Sequence, residues 1–143
     1  MLKGIDPLLG ADLLHALAAM GHGDEIAIVD ANFPATSTAR RLIRVDGAGS
    51  SAVLSAMLTL LPLDTFTETP AAVMAIVGDP GAVPPPVREF QSIIDRVAGK
   101  PVRMATLERS AFYERARAAF AIVATGEQRF YGNILVTKGV VPP

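Results

Sequence analysis

The stretch Gly21-His22-Gly23-Asp24-Glu25-Ile26-Ala27-Ile28-Val29-Asp30 decides the fold. Its segment Ile26-Ala27-Ile28-Val29 is continuous and apolar, too short for a helix and rich in β-branched side chains, so it predicts a buried strand. Before it, apolar side chains recur every three or four residues from Leu9 to Met20, which predicts an amphipathic helix ending at Gly21. A helix followed directly by a buried strand is typical of α/β folds.

The remaining sequence repeats this alternation of helices and short apolar strands. Further strands are predicted over 41–45, 72–77, 102–107, 119–124 and 131–136, and further helices over 50–61, 87–98 and 108–118. Ser50 or Ser51 is expected to cap the helix that begins there. The Gly-rich and Pro-rich residues 78–86 predict a loop, not a linker between domains. We therefore expect one domain over residues 1–143, a three-layer α/β/α sandwich with a mainly parallel sheet that binds ligands at the carboxyl ends of its strands.

Composition excludes several classes of function. The chain has 143 residues, 13 Lys and Arg against 14 Asp and Glu, and a net charge of −1 with no basic run, which excludes a polycationic nucleic-acid binder. It has no cysteine and two histidines, so neither a thiolate metal site nor a histidine-rich metal centre is expected. No glycine-rich run leads to a Lys-Ser or Lys-Thr pair, and a phosphate-binding loop is therefore not expected either.

The apolar segments are too short or too interrupted for a membrane protein. The longest uncharged run, 47–63, is shorter than the ~20 apolar residues that a spanning helix needs, and it contains serines, a threonine and a proline. Near the N-terminus, Asp6, Pro7 and Asp12 interrupt the apolar region that a secretion signal needs. With the absence of cysteine, these features favour a reducing cytoplasm.

The hydropathy of the chain points to an oligomer. A mean hydropathy of +0.38 is high for a 15.0 kDa protein, because a small protein leaves much of its surface in water. We expect some of this apolar surface to be buried between subunits. A core that is merely rich in alanine and valine is the alternative.

Two candidate functional residues flank the predicted strand. His22 lies between two glycines, which leave its imidazole accessible for proton transfer; the alternative is a loop histidine that faces solvent. Asp30 follows the strand directly, where a carboxylate can bind a sugar hydroxyl. The alternative for Asp30 is a turn in which it bonds the backbone two residues on.

Two further groups of polar and aromatic residues occur in the last third of the chain. Arg109 and Tyr113 are four apart on one face of a predicted helix; a cation near a helix N-terminus is unfavourable, so Arg109 either pairs with an acid or serves a ligand. Tyr131 and Asn133 are expected on the same face of a strand, with Gly132 adding no bulk opposite. Such a pair suits a sugar, although a tyrosine covering the core and an asparagine in a turn remain the alternative.

The ordered set of segments resembles the ribose pyranase/fucose mutarotase family over nearly the whole chain, from Met1 to Val140. The segments that carry the resemblance are Met1-Leu2-Lys3-Gly4-Ile5, Gly21-His22-Gly23-Asp24-Glu25-Ile26, Asp30-Ala31-Asn32-Phe33-Pro34, Phe112-Tyr113-Glu114-Arg115-Ala116, Thr125-Gly126-Glu127 and Tyr131-Gly132-Asn133-Ile134. Phe33 before Pro34 and the segment Phe112-Tyr113-Glu114-Arg115 make the resemblance nearer to the branch that acts on L-fucose.

This resemblance implies a cofactor-free isomerase that interconverts the α and β anomers of a free monosaccharide, here L-fucose, by acid-base catalysed ring opening and closure. It implies that His22 is the catalytic residue. The sugar-binding residues that it implies are Asp30, Arg109, Tyr131, Gly132 and Asn133, with Tyr113 as a further candidate. Members of the family form ring-like homo-oligomers, often decamers, with sites between neighbouring subunits.

Strand geometry adds a constraint on the site. If residues 25–29 are extended, His22 and Asp30 lie near opposite ends of one strand, roughly 20 Å apart at ~3.3 Å per residue. They cannot then contact one sugar within one chain. We expect that His22, Asp30 or the Tyr131 and Asn133 pair is contributed by a second subunit.

Three other functions remain open on the sequence. The first is the same chemistry on another sugar, a pyranase-like interconversion of the ring forms of D-ribose. The second is a non-enzymatic module that binds a monosaccharide without turnover. The third is a purely structural oligomer, which would bind no monosaccharide.

Overall fold

The computed structural model describes all residues from Met1 to Pro143. Five helices and six strands follow one another along the chain. They are α1 (Ala11–Ala19), β1 (Glu25–Val29), α2 (Ala35–Thr38), β2 (Leu42–Val45), α3 (Ser50–Met57), β3 (Ala71–Met74), α4 (Pro85–Ala98), β4 (Met104–Leu107), α5 (Arg109–Ala118), β5 (Ala121–Thr125) and β6 (Ile134–Thr137).

All six strands form one sheet in the order β2-β5-β1-β6-β3-β4. The strands β2, β5 and β1 are mutually parallel, and β3 is parallel to β4. Only β6 is antiparallel to its neighbours, β1 and β3. The predicted mainly parallel sheet is confirmed, and its one reversed strand lies in the middle.

Helices cover both faces of the sheet. Because side chains alternate along a strand, Ile26 and Ile28 of β1 pack against α1, α3 and α4, whereas Ala27 and Val29 pack on the side of α2 and α5. No helix combines the length and the apolar character that a membrane crossing requires. The predicted three-layer arrangement is confirmed.

The strand predicted over 131–136 was wrong at its first three residues. The strand β6 begins at Ile134, and Tyr131 has a φ of +61°, a left-handed conformation that an extended strand excludes. Tyr131 and Asn133 therefore belong to a loop. The alternation of side chains along a strand therefore does not place these two side chains on one face.

Other predictions differ from the structure at helix ends. Neither Ser50 nor Ser51 caps α3, because the Ser50 hydroxyl donates to Glu127 and the Ser51 hydroxyl donates to Glu89. The helix ends at Met57, four residues earlier than predicted, and irregular turns follow. The short helix α2 occupies a segment where the sequence indicated only a loop after Pro34.

The chain crosses the carboxyl end of β1 on its way from β5 to β6, because β1 lies between these two strands. We call residues 126–133 the crossing loop. The backbone N–H of Ala31 donates to the Glu127 carbonyl at 2.8 Å, which joins the crossing loop to the residue that follows Asp30. The topology thus brings the crossing loop and Asp30 together.

An ionic cluster holds the crossing loop in place. The Arg129 guanidinium donates to the Glu127 carboxylate at 2.9 and 3.0 Å and to the Glu89 carboxylate at 2.6 and 3.0 Å. Paired hydrogen bonds of this kind fix geometry as well as charge. The hydrogen bonds from Arg129 lower the pKa of Glu127 to about 2, although burial acts in the opposite direction.

Two glycines allow the crossing loop to pack closely. A Cβ on Gly126 would collide with the carbonyl oxygen of Asp46. A Cβ on Gly132 would lie 2.6 Å from Cγ of Glu127 and 3.2 Å from Oγ of Ser50. Larger residues at either position would push the loop away from the end of β1.

Gly126→Ala is expected to lower the free energy of unfolding by about 1–3 kcal/mol, because the backbone near Asp46 must move to admit the methyl group. Gly47→Ala is the matched control, since a Cβ there would meet nothing within 4 Å. The control should change the free energy of unfolding by less than about 0.5 kcal/mol. Urea unfolding at fixed protein concentration measures both, and equal stability of the two variants would contradict the close packing.

The Glu127 cluster predicts a pH-dependent stability. Because the folded protein holds the pKa of Glu127 at about 2, below its ordinary 4.5, the ionised carboxylate stabilises the fold above pH 4.5. This contribution is lost as the pH falls from about 4.5 to 2. Glu127→Gln should therefore be less stable than wild type at pH 7, with a difference that narrows toward pH 3.

Urea unfolding midpoints at pH 7, 4.5 and 3 test this expectation. Glu68→Gln is the control, since Glu68 is exposed and makes no ion pair. A difference between wild type and Glu127→Gln that stays constant across this range would show that the Glu127 charge does not stabilise the fold.

Candidate functional site

Asp30 and Asn133 join the carboxyl end of β1 to the start of β6 by two reciprocal hydrogen bonds. The backbone N–H of Asp30 donates to Asn133 Oδ1 at 2.8 Å, and Asn133 Nδ2 donates to Asp30 Oδ2 at 3.0 Å. Asp30 Oδ1 also accepts the N–H of Asn32 at 3.0 Å, so the turn considered from the sequence is present. Both side chains are buried. Asp30 can form this turn and still bind a ligand, because each carboxylate oxygen can accept a second hydrogen bond.

Burial raises the pKa of Asp30 above its ordinary value, although hydrogen bonds from Asn32 and Asn133 act to lower it. A buried carboxylate of this kind gains from another donor, such as a sugar hydroxyl. Groups with a pKa raised by burial cluster at functional sites. Asp30 therefore has the electrostatics of a binding or proton-transferring residue.

A cavity of about 310 Å³ opens beside Asp30 and Asn133. This volume is within the range of small-molecule sites, and the wall combines apolar side chains with a few convergent polar ones, as such sites do. Its lining residues are Asp30, Asn32, Phe33, Met74, Val77, Arg109, Tyr113, Phe130, Tyr131 and Asn133. We call it the Asp30 cavity. Five of the seven residues singled out from the sequence line it.

Arg109 and Tyr113 form one wall of the Asp30 cavity from the first turns of α5. The Arg109 guanidinium carbon lies 5.4 Å from the centre of the Tyr113 ring, so the two side chains share a helical face as predicted. Arg109 makes no ion pair within the chain. Of the two alternatives left open by the sequence, pairing with an acid of the same chain is thus not observed.

Tyr131 is held across the cavity by the loop after β3. Its phenolic oxygen accepts the backbone N–H of Val77 at 3.0 Å, which leaves the hydroxyl proton free to be donated. Gly132, the neighbouring residue, does not line the cavity and instead packs on Glu127. Its lack of a side chain lets the crossing loop approach the ionic cluster, and its backbone hydrogen bond is one of those that act to lower the pKa of Asp30.

His22 does not line the Asp30 cavity, and the five residues of β1 separate it from Asp30. His22 Nε2 lies 3.0 Å from Asp64 Oδ1, and its ring centre lies 5.1 Å from that of Phe66. The side chain of His22 is 45% exposed, whereas that of Asp64 is 5% exposed. The predicted separation of His22 and Asp30 at opposite ends of an extended strand is confirmed.

Sequence reasoning missed Asp64 and the apolar part of the cavity wall. Asp64 is 42 residues from His22, and only the fold relates them. Its one local signal is the turn that it forms with the N–H of Thr67. Met74 is the last residue of β3 and Val77 lies in the loop that follows. The predicted strand over 72–77 did not show that the chain leaves the sheet after Met74.

A larger cavity of about 590 Å³ lies between the segment after α3 and the end of α4. Asp64, Lys100 and Arg103 are among its lining residues, but none of the seven residues singled out from the sequence is. Volume alone does not identify the site, because a further cavity of about 640 Å³, which Arg109 and Tyr113 also line, is larger still. The convergence of Asp30, Arg109, Tyr131 and Asn133 makes the smaller Asp30 cavity the better candidate for specific recognition.

Comparisons with known proteins agree with the fold and with the resemblance. The chain is 51% identical to the fucose mutarotase of Homo sapiens over 98% of its own length and 94% of that protein. It is 42% identical to an L-fucose mutarotase of Histophilus somni (strain 2336), with 99% of each chain covered. The crystal structure of a fucose mutarotase from Streptococcus pneumoniae in complex with L-fucose matches it with a TM-score of 0.91 and 40% identity, covering 99% of this chain and all of that one.

A family model matches residues 3–141 and carries the description RbsD / FucU transport protein family. Both the match over nearly the whole chain and the identities above 40% support the same assignment. The protein belongs to the RbsD / FucU family.

Proposed function

We propose that this protein is an L-fucose mutarotase, an isomerase that interconverts the α and β anomers of the free sugar. The observation that carries the proposal is the convergence of Asp30, Arg109, Tyr131 and Asn133 on one cavity, in a chain 51% identical to a fucose mutarotase. We further propose that residues 1–143 act as one sugar-binding domain in the cytoplasm and need no cofactor.

The reaction consists of balanced proton transfers. A base removes the proton of the anomeric hydroxyl, an acid protonates the ring oxygen, and the bond between the anomeric carbon and the ring oxygen breaks to give the open aldehyde. Rotation of the aldehyde and reversal of both transfers close the ring as the other anomer. Each positioned acid or base contributes typically ~10²–10⁴-fold, so side chains alone are sufficient for this reaction.

His22 is the proton-transferring residue in this proposal. Asp30 and Asn133 are fixed by their mutual hydrogen bonds. In this proposal they accept hydrogen bonds from the sugar hydroxyls and donate hydrogen bonds to them. Arg109 is a cation with five donors and no acid partner, and it orients the remaining oxygens. The hydroxyl of Tyr131, whose proton is free, protonates the ring oxygen or binds it. Tyr113 packs beside Arg109.

The apolar part of the cavity wall supports L-fucose over D-ribose. L-fucose is a 6-deoxy sugar with a methyl group, and Phe33, Met74 and Val77 offer that group an apolar surface. D-ribose has no methyl group to bury there.

A second copy of the chain supplies His22 to the Asp30 cavity in this proposal. The ring of Phe66, which packs on His22, is 75% exposed, and Phe130 at the Asp30 cavity is also 75% exposed. One exposed aromatic side chain thus lies beside His22 and another beside the Asp30 cavity. Exposed aromatic side chains are typical of surfaces that become buried on association. We propose a homo-oligomer with sites between subunits. The resemblance to the family implies that this oligomer is a decamer.

Wild-type protein is expected to accelerate exchange between the anomers of L-fucose, and more strongly than the ring-form exchange of D-ribose. NMR magnetisation exchange with each sugar measures both rates. His22→Ala should lower the L-fucose rate by ~10²–10⁴-fold while sugar binding is retained. His15→Ala is the control, since His15 is an exposed histidine on α1.

The results of this experiment distinguish the proposed function from the three others that the sequence left open. A faster rate with D-ribose would make the protein a pyranase. Saturable binding of L-fucose without acceleration, in folded and assembled protein, would make it a binding module, and no saturable binding would leave a structural oligomer.

Mixed oligomers test whether a site is shared between copies. Arg109→Ala retains His22 and His22→Ala retains an intact Asp30 cavity, so neither variant alone has a complete site. If each site joins His22 of one copy to the Asp30 cavity of another, random assembly of equal amounts restores about one quarter of the sites.

The mixture is assayed by anomer exchange at L-fucose concentrations well below KM, with each variant alone as control. Recovery toward a quarter of the wild-type rate is the expected result. A mixture no more active than the mean of its two components would contradict a shared site.

A further inference from the structure

Tyr131 is the one residue other than glycine whose φ is positive, at +61°. A side chain with a Cβ is strained in this left-handed conformation, and the conformation persists only where the surrounding contacts leave no alternative. Residues strained in this way cluster at functional sites. The contacts that hold the backbone of Tyr131 therefore bear on the Asp30 cavity that this residue lines.

Two of these contacts hold Tyr131 from its tip and from the side of β6. The phenolic oxygen of Tyr131 accepts the backbone N–H of Val77 at 3.0 Å. Two residues later, Asn133 is fixed by its reciprocal hydrogen bonds with Asp30. Neither contact acts on the chain that enters Tyr131 from β5, so that side needs an anchor of its own.

Arg129 is the anchor on that side, two residues before Tyr131. Its guanidinium donates to the two oxygens of the Glu89 carboxylate at 2.6 and 3.0 Å and to those of Glu127 at 2.9 and 3.0 Å. Its backbone N–H also donates to Glu127 Oε1 at 3.0 Å, so the main chain is held together with the side chain. The contacts with Glu127 are internal to the crossing loop, whereas Glu89 belongs to α4.

Glu89 is itself fixed by α3, because the Ser51 hydroxyl donates to Glu89 Oε2. Hydrogen bonds from Arg129 and then from Ser51 hold the pKa of Glu89 below its ordinary value, so the carboxylate is ionised at neutral pH. Glu89 does not line the Asp30 cavity. The helices α3 and α4 pack on the face of the sheet opposite to α5, so Glu89 holds the crossing loop from the layer opposite to Arg109.

The exposure of the Glu89 and Arg129 pair suits positioning better than stability. The side chain of Arg129 is 43% exposed and that of Glu89 is 44% exposed. Ion pairs with this exposure contribute little to the free energy of unfolding, because water and salt screen the two charges. Hydrogen bonds to both carboxylate oxygens nevertheless fix the orientation of the guanidinium.

We propose that Glu89 is a positioning residue that acts through Arg129 to keep Tyr131 in its left-handed conformation, with the phenol at the Asp30 cavity. This proposal rests on the proposed function, in which the Tyr131 hydroxyl protonates or binds the ring oxygen of the sugar. Without Glu89, the crossing loop relaxes toward backbone conformations with negative φ at Tyr131. The phenol then leaves the place where it meets the ring oxygen.

Glu89→Ala removes both hydrogen bonds to Arg129 and is expected to lower kcat/KM for L-fucose exchange by about 10-fold to 100-fold, because a displaced catalytic group loses its alignment. The same substitution made in Tyr131→Phe should cost less than about 2-fold, since the hydroxyl that Glu89 positions is already absent. Arg88→Ala is the matched control, because Arg88 is the exposed neighbour of Glu89 on α4 and makes no ion pair. This control should change kcat/KM by less than about 2-fold.

Carbon-13 NMR of protein labelled at tyrosine measures the conformation of Tyr131 directly. The chain has two tyrosines, so the assembled protein gives two sets of Cα and Cβ signals, and Tyr113→Phe assigns them. The Cα and Cβ chemical shifts depend on φ and ψ. In Glu89→Ala the Tyr131 signals should shift or split, while those of Tyr113, within α5, stay in place.

Urea unfolding separates positioning from a general loss of structure. Glu89→Ala should unfold at nearly the wild-type urea concentration, because the ion pair is half exposed. A purely structural Glu89 would lower this midpoint and leave the Tyr131 signals of the folded protein unchanged. Glu89→Gln, which keeps the size of the side chain and one acceptor oxygen, repeats all three measurements if Glu89→Ala does not fold.

Three results would overturn the proposal. They are a wild-type rate in Glu89→Ala, an equal loss from Glu89→Ala with and without the Tyr131 hydroxyl, and unshifted Tyr131 signals in a variant with lowered activity. If the wild-type protein accelerates no anomer exchange, the proposed function fails and this proposal fails with it. An active wild type with an unaffected Glu89→Ala overturns this proposal alone.

Discussion

The reciprocal hydrogen bonds between Asp30 and Asn133 connect the topology of the sheet to its chemistry. They join the carboxyl end of β1 to the residue just before β6, the one antiparallel strand, at the edge of the sheet where α/β proteins bind ligands. Because β5 and β6 lie on either side of β1, the crossing loop must pass over this edge. Asp30, Tyr131 and Asn133 are brought together by that crossing, and α5 adds Arg109 from the adjacent layer.

The same arrangement explains the ionic cluster that holds the crossing loop and, under the proposed function, a site shared with a second copy. Burial raises the pKa of Asp30, which prepares it for a hydroxyl donor but disfavours its charge, while Glu127 and Arg129 pair closely and keep the crossing loop in one conformation. The extended β1 places His22 at its other end, beside Asp64 and an exposed Phe66. In the proposed mechanism, association of copies is therefore part of the active site and not only a source of stability.

Local patterns were sufficient to predict much of the fold and part of the site. The apolar run of β1, Asp30 at its end and the four-residue spacing of Arg109 and Tyr113 are properties of short segments, and the structure confirms their placement. The left-handed Tyr131, the pairing of Asp64 with His22 and the antiparallel direction of β6 were not predicted. Each depends on contacts between residues distant in the chain, which periodicity and residue type do not encode.

A crystal structure of the assembled protein with bound L-fucose tests the central claim most directly. The account predicts the sugar in the Asp30 cavity, with its hydroxyls on Asp30, Arg109 and Asn133. Its anomeric oxygen should lie within hydrogen-bond distance, about 3.2 Å, of the imidazole of His22 from a second copy. A sugar bound only by residues of one chain, or bound in the larger cavity beside Lys100 and Arg103, would contradict it.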